Sequence, residues 1–173
     1  MFFGLALTLV SSSLAASLAA SLPSGHGELV LSPSTTLWIL DPADVGYGAR
    51  SAVSLALRDV QNDWYMVIGT RPSSIVSDTD SDTDTHACPP DFVGTCVFFG
   101  RAASSRAQPV AQHPEAHAIV VKAVSAPAQQ HHVYLTGNSE RAEVFAMYTF
   151  AERVLGVQPL WWWTDTLPVY RGT

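Results

Sequence analysis

Trp161, Trp162 and Trp163 stand in a row, and Asp165 follows two residues later. Indole faces suit the faces of pyranose rings and a carboxylate accepts from hydroxyls, so this stretch is the one best equipped to hold a carbohydrate. Trp162, Trp163 and Asp165 are the candidate substrate contacts, with packing against another domain as the other use of so much aromatic surface. Each indole side chain buries about 150–250 Å². The surrounding "VQPLWWWTDTLP" has no helical or strand period that would hide three of them, and ten residues follow Trp163. Left mostly exposed, they form an apolar patch of roughly a few hundred Å², which signals a missing neighbour or a ligand surface.

The other reactive side chains promise less. Asp78, Asp80, Asp82 and Asp84 copy the first ligand positions of a calcium loop. The glycine at the sharp turn and the closing bidentate glutamate are missing, so a solvated loop is expected. Cys88 and Cys96 are separated by Pro89, Pro90 and Gly94 in a segment that must turn, which makes a disulfide between them geometrically reasonable. In the chain-entropy model so small a loop stabilises by about 2–3 kcal/mol. Metal is the competing use, but two thiols with His86 nearby supply too few ligands. His131 and His132 are adjacent on an expected strand, point to opposite faces and cannot chelate together. No metal or cofactor is expected. Asp41 and Asp44 fall at a strand-to-helix turn, where Asp44 suits the positive end of a helix dipole. Glu140, Glu143 and Glu152 are expected on the exposed side of a helix. A G-x-S-x-G nucleophile turn and a phosphate-binding loop are both missing from the sequence.

The elements that must position these groups follow from composition and period. A chain of 173 residues that is 47% hydrophobic and 14% charged reads as one ordinary globular domain. Its net charge of -6, with nine Lys plus Arg scattered singly, argues against a nucleic-acid partner. Residues 1–20 read as a secretory signal peptide, uncharged and apolar near the front, with cleavage expected between Ala16 and Ala20 and the product secreted. Ser11 to Ser13 and an apolar core of about ten residues count against a membrane-spanning helix. Strands are expected at Thr35 to Asp41, Thr95 to Gly100, Ala116 to Val124 and His131 to Gly137. Val53, Leu57, Val60, Trp64 and Val67 recur at helical spacing, opposite Ser51, Ser54, Arg58, Gln61 and Asn62, and Gly69 stops the helix. A second helix starts at Asn138 or Ser139 and carries Val144, Met147, Tyr148, Ala151, Val154 and Leu155 as its apolar stripe. This order predicts an α/β domain over residues 30–157: a small mixed sheet of about four strands with two helices on one face, interrupted by an exposed Asp/Ser/Thr-rich insertion at 73–94.

The last third of the chain, "LTGNSERAEVFAMYTFAERVLGVQPLWWWTDTLP", resembles the junction segment of glycoside hydrolase family 115, the xylan α-1,2-glucuronidases. In that family a strand runs into a Gly-Ser-Asp-x-Arg-Gly turn, a helix, a Gly-Val-x-Pro turn and a Trp-Trp-x-Asp stretch that leads into a (β/α)8 barrel. The matching residues are Gly137, Ser139, Arg141, Tyr148, Glu152, Gly156, Val157, Pro159, Trp162, Trp163 and Asp165. Ala142 and Ala146 stand where the family usually has glycine, which leaves less room for close backbone approach. The resemblance implies the accessory domain that precedes such a barrel, with residues 158–173 as the truncated start of the catalytic domain and the barrel itself absent. An inverting glycosidase needs an acid and a base roughly 6.5–9.5 Å apart, and on a barrel these sit at the C-terminal ends of strands. The chain is therefore expected to hold no catalytic residue and to be inactive alone. In the full-length enzyme its partners would be the missing catalytic domain and glucuronoxylan, from which 4-O-methylglucuronic acid is removed. A stand-alone secreted carbohydrate-binding module using the tryptophans is the alternative.

Overall fold

Residues of opposite parity along three strands are buried on opposite faces, so the central sheet must be covered twice. The computed structural model describes residues 18–21, 28–45, 51–76, 87–107, 112–124 and 130–158. In chain order the elements are β1 (Leu18–Ser21), β2 (Glu28–Leu31), β3 (Thr36–Leu40), α1 (Pro42–Val45), α2 (Ala52–Ile68), β4 (Ser73–Val76), β5 (Gly94–Phe98), α3 (Gly100–Ser104), β6 (His117–Val124), β7 (Gln130–Gly137) and α4 (Glu140–Arg153). β1 and β2 pair antiparallel, and the other five strands form one sheet in the order β4-β3-β5-β7-β6. β4, β3, β5 and β7 run parallel, while β6 closes one edge antiparallel to β7. The protein is thus a small α/β unit on an open mixed sheet.

Trp38 and Leu40 of β3, Val97 of β5, and Val133 and Leu135 of β7 face α2 and α4, where Val53, Leu57, Val60, Trp64, Met147 and Phe150 complete the main core. Leu37, Ile39, Phe98 and Tyr134 occupy the reverse face beneath Ala102 and Ala103 of α3 and the Cys88–Cys96 segment. α2 begins where the Ser51 side chain accepts the Ser54 N–H at 3.1 Å, and the Gly69 N–H bonds Tyr65 O at its end. α4 begins in the same way at Ser139, whose hydroxyl accepts the Ala142 N–H at 3.2 Å.

Several expectations are corrected. The sheet has five strands, because Ser73–Val76 of the expected insertion pairs in parallel with β3 as an exposed edge. A further short helix, α3, covers the face opposite α2 and α4. β2 begins at Glu28, before the expected domain start at residue 30, and buries Leu29 and Leu31 in the main core. Ser54, expected on the polar face, is buried, because its hydroxyl turns back to Ser51 O at 2.9 Å. Tyr148 is exposed instead of joining the stripe of α4; its hydroxyl donates to Asp59 Oδ2 on α2 at 2.8 Å. Burial and that bond push the Tyr148 pKa up to about 12, so the phenol remains a donor at neutral pH. The buried face of α4 includes instead Ala142, Ala146 and Phe150. A Cβ at Gly137 would collide with the backbone of Ala142 and Glu143, so the first turn of α4 touches the end of β7 only because position 137 has no side chain.

Candidate functional site

Three parallel strands end side by side, and each hands the chain directly to a helix start. After β3 the Asp41 carboxylate accepts the Ala43 N–H at 2.7 Å, turning the chain into α1 and burying Asp44. After β5 Gly100 takes a positive φ of 51°, and the Arg101 N–H then donates to Asp44 Oδ2 at 3.3 Å. A Cβ at Gly100 would strike that same carboxylate, so glycine is needed there for both conformation and space. After β7 the turn through Asn138 and Ser139 brings in Glu140, whose carboxylate accepts the Ala52 N–H of α2 at 2.9 Å. One turn further on, Glu143 accepts the Ser104 hydroxyl of α3.

The result is a crevice of about 240 Å³ lined by Asp44, Glu140, Glu143, Arg101, Ser51 and Val53. The carboxyl ends of parallel strands are where open α/β sheets present side chains to ligands. Burial raises the Asp44 pKa above its ordinary value, opposed by the Arg101 N–H and reinforced by Asp41. Glu143 is raised by burial, opposed by the Ser104 hydroxyl and reinforced by Asp44 and Glu140. Three carboxylates against one guanidinium repel a phosphate or a uronate, so the chemistry on offer is hydrogen bonding to hydroxyls or exchange of a proton. Each carboxylate already accepts from the protein itself, and together they tie three strand-to-helix turns into one rim.

No protein-family model matches the chain, and no curated protein matches it with significance. The geometry alone assigns roles. Trp162, Trp163 and Asp165 lie outside the described residues, as do Asp78 to Asp84 and His86. Cys88 and Cys96 are disulfide-bonded with a Cα–Cα distance of 6.0 Å. Among the described residues no group of three or more His, Cys, Asp or Glu is placed to hold a metal, and no helix is long and apolar enough to cross a membrane. One expectation for the acidic residues is corrected: Glu143 is half-buried at the rim instead of exposed. Asp44 stands in the first turn of α1 as expected, and its carboxylate also accepts the Arg101 N–H at the start of α3. Their common signal, a position just after the carboxyl end of a strand, gains meaning only once the strand order β3-β5-β7 is known.

A raised carboxyl pKa has a definite sign for stability. The folded form holds its proton more tightly than the unfolded form, so stability falls as pH rises from the ordinary aspartate value of 3.8 through the raised folded value. Asp44→Asn keeps an oxygen for the Arg101 N–H and removes the buried charge. It is expected to raise the urea midpoint near neutral pH and to have little effect at about pH 2.5, well below the ordinary value of 3.8, where wild-type Asp44 is protonated in both states. An equal shift at both pH values would sink this account of the crevice.

Proposed function

We propose that this chain provides the N-terminal accessory domain of a secreted glycoside hydrolase similar to the xylan α-1,2-glucuronidases, and that it has no glycosidase activity by itself. The observation that carries the reading is the run from Gly137 to Val157, where residues resembling the family's junction also build the local structure. Gly137 makes room for the start of α4, Ser139 caps it, and Tyr148 ties it to α2. The Val157 N–H bonds Ala151 O at 3.0 Å and the side chain is buried, which closes the end of the helix. The departure at position 142 is compatible with this turn, since the fully buried Ala142 methyl lies opposite a residue that has none.

The crevice supports the absence of activity. Its negative charge disfavours a glucuronate, and its carboxylates are engaged in joining turns. A disulfide-bonded loop suits an oxidising, extracellular compartment. In this reading Trp162, Trp163 and Asp165 belong to the approach to the catalytic domain and glucuronoxylan is the substrate of the whole enzyme. The purified chain is expected to release no 4-O-methylglucuronic acid from glucuronoxylan, and measurable turnover overturns the proposal. Titration with xylan oligosaccharides separates the alternative. A saturable change in tryptophan fluorescence, abolished by Trp162→Ala, identifies a stand-alone sugar-binding module.

A further inference from the structure

On the face of the sheet away from α2 and α4, four groups form a directional chain of hydrogen bonds. Gln130 is buried, and its amide nitrogen donates to Pro89 O at 2.8 Å and to Phe92 O at 2.7 Å. Two carbonyl acceptors fix the orientation of the amide and leave its Oε1 as an acceptor only. His132 Nε2 lies 3.0 Å from that oxygen and must therefore carry a proton. In the neutral ring Nδ1 is then the acceptor, and the Tyr134 hydroxyl, 3.1 Å away, donates to it. The chain runs from Tyr134 through His132 and Gln130 to the loop that the Cys88–Cys96 disulfide closes.

We infer that His132 is an acid-sensitive latch that, through Gln130, holds the Cys88–Cys96 loop on the sheet. A second proton on His132 turns Nδ1 into a donor facing the Tyr134 hydroxyl, so the bond survives only if that hydroxyl turns its proton away. The new cation joins two others on one aromatic stack. The Arg106 guanidinium lies 5.8 Å from the Phe98 ring centre and the Lys122 ammonium 5.2 Å from that of Tyr134, while the two rings stack at 4.7 Å. Lys122 is the register partner of His132 on β6, Cys96 its neighbour on β5 and His131 the next residue on β7; Asp91, the charged residue of the 87–93 loop, is exposed. Burial first, then Arg106, Lys122 and His131, hold the His132 pKa below its ordinary 6.5. A depressed base stabilises the fold above that ordinary value and loses its contribution as pH falls through the folded value. The imidazolium gains hydration most directly by lifting the loop, whose Phe92 packs against the same cluster.

The Phe92 amide, bonded to Pro89 O at 3.0 Å, reports the state of the loop. Hydrogen exchange of the intact chain, corrected for intrinsic rate, is compared at about pH 7 and about pH 4.5, on either side of the ordinary histidine value of 6.5. Protection at Phe92 is expected to fall roughly tenfold or more on acidification while Val60 in α2 keeps its protection, as expected for local opening. His132→Gln, which retains a donor and an acceptor but cannot charge, is expected to keep Phe92 protected at both pH values. Equal protection of wild-type Phe92 at the two values, or the same fall in His132→Gln, overturns the inference. Ring 15N shifts of the wild type give a test that does not depend on the variant's folding. They are expected to show the Nε2–H tautomer at neutral pH and a midpoint below 6.5, and an Nδ1–H tautomer or a higher midpoint refutes the latch.

Discussion

Replacing Trp38 by alanine is expected to lower the free energy of unfolding by about 3–5 kcal/mol, the range for removing a large aromatic side chain from a close-packed core. Trp38 is fully buried at the middle of β3, between β4 and β5. Its ring centre lies 4.4 Å from that of Phe99 and 5.6 Å from that of Trp64, which meets it edge-on. Those neighbours stand on separate elements, a turn before α3 and the fourth turn of α2, so neither can move into the space without dragging its own backbone. The indole Nε1 of Trp38 has no hydrogen-bond partner among the described residues. A buried donor left unpaired costs about 1–3 kcal/mol, so Trp38→Phe, which deletes the donor and keeps most of the apolar ring, is expected to cost much less than Trp38→Ala. Guanidinium denaturation of the three proteins measures both differences. If alanine costs under about 1.5 kcal/mol, the sheet–helix interface collapses around the hole and is not rigidly packed at this point.

Trp38 was legible as a core residue because it sits in a short apolar run between prolines, and the same logic exposes β5, β6 and β7. α2 was equally legible from its period. The elements that escaped lack any such pattern. Gly100–Ser104 is too short to display a helical repeat, and it turns because Gly100 can adopt a positive φ and Asp44 receives the Arg101 N–H. Ser73–Val76 is exposed along its whole length, so neither alternation nor an apolar run marks it, and only the free edge of β3 makes it a strand. On α4 the apolar residues predict a stripe through Val144 and Tyr148; Val144 does pack against the core, while Tyr148 is exposed. The helix also turns Ala142 inward, because its close approach to Gly137 leaves room only for a small side chain.

The crevice was invisible for a different reason. Asp44, Arg101 and Glu143 come from three separate strand-to-helix turns, and only the parallel order β3-β5-β7 sets those turns next to each other. Within its own helix Asp44 reads as a first-turn acid, which it is, and Glu143 as solvent-facing, which it is not; the bonds that Asp44 and Glu143 make to Arg101 and Ser104 lie on another element and have no local signal. Local pattern identifies the parts of such a rim, while strand order alone decides which parts meet.

The disulfide, by contrast, is a local feature whose removal has long-range consequences. The double variant Cys88→Ala, Cys96→Ala is expected to lose about 2–3 kcal/mol from loop entropy alone, since the bridge spans a sequence separation of 8. A second loss follows if the freed segment leaves the sheet. Gln130 then exchanges its bonds to the Pro89 and Phe92 carbonyls for bonds to water, at a net cost of about 0.5–1.5 kcal/mol for each bond. The two contributions can be separated, because Gln130→Ala in the oxidised protein removes the second and leaves the first. If the loop is held by both devices, combining Gln130→Ala with the cysteine replacements destabilises by less than the sum of the separate effects, since the amide has already lost its partners. Strict additivity in urea unfolding would show that the segment stays docked without its covalent bridge, held by Phe92 and the apolar reverse face of the sheet.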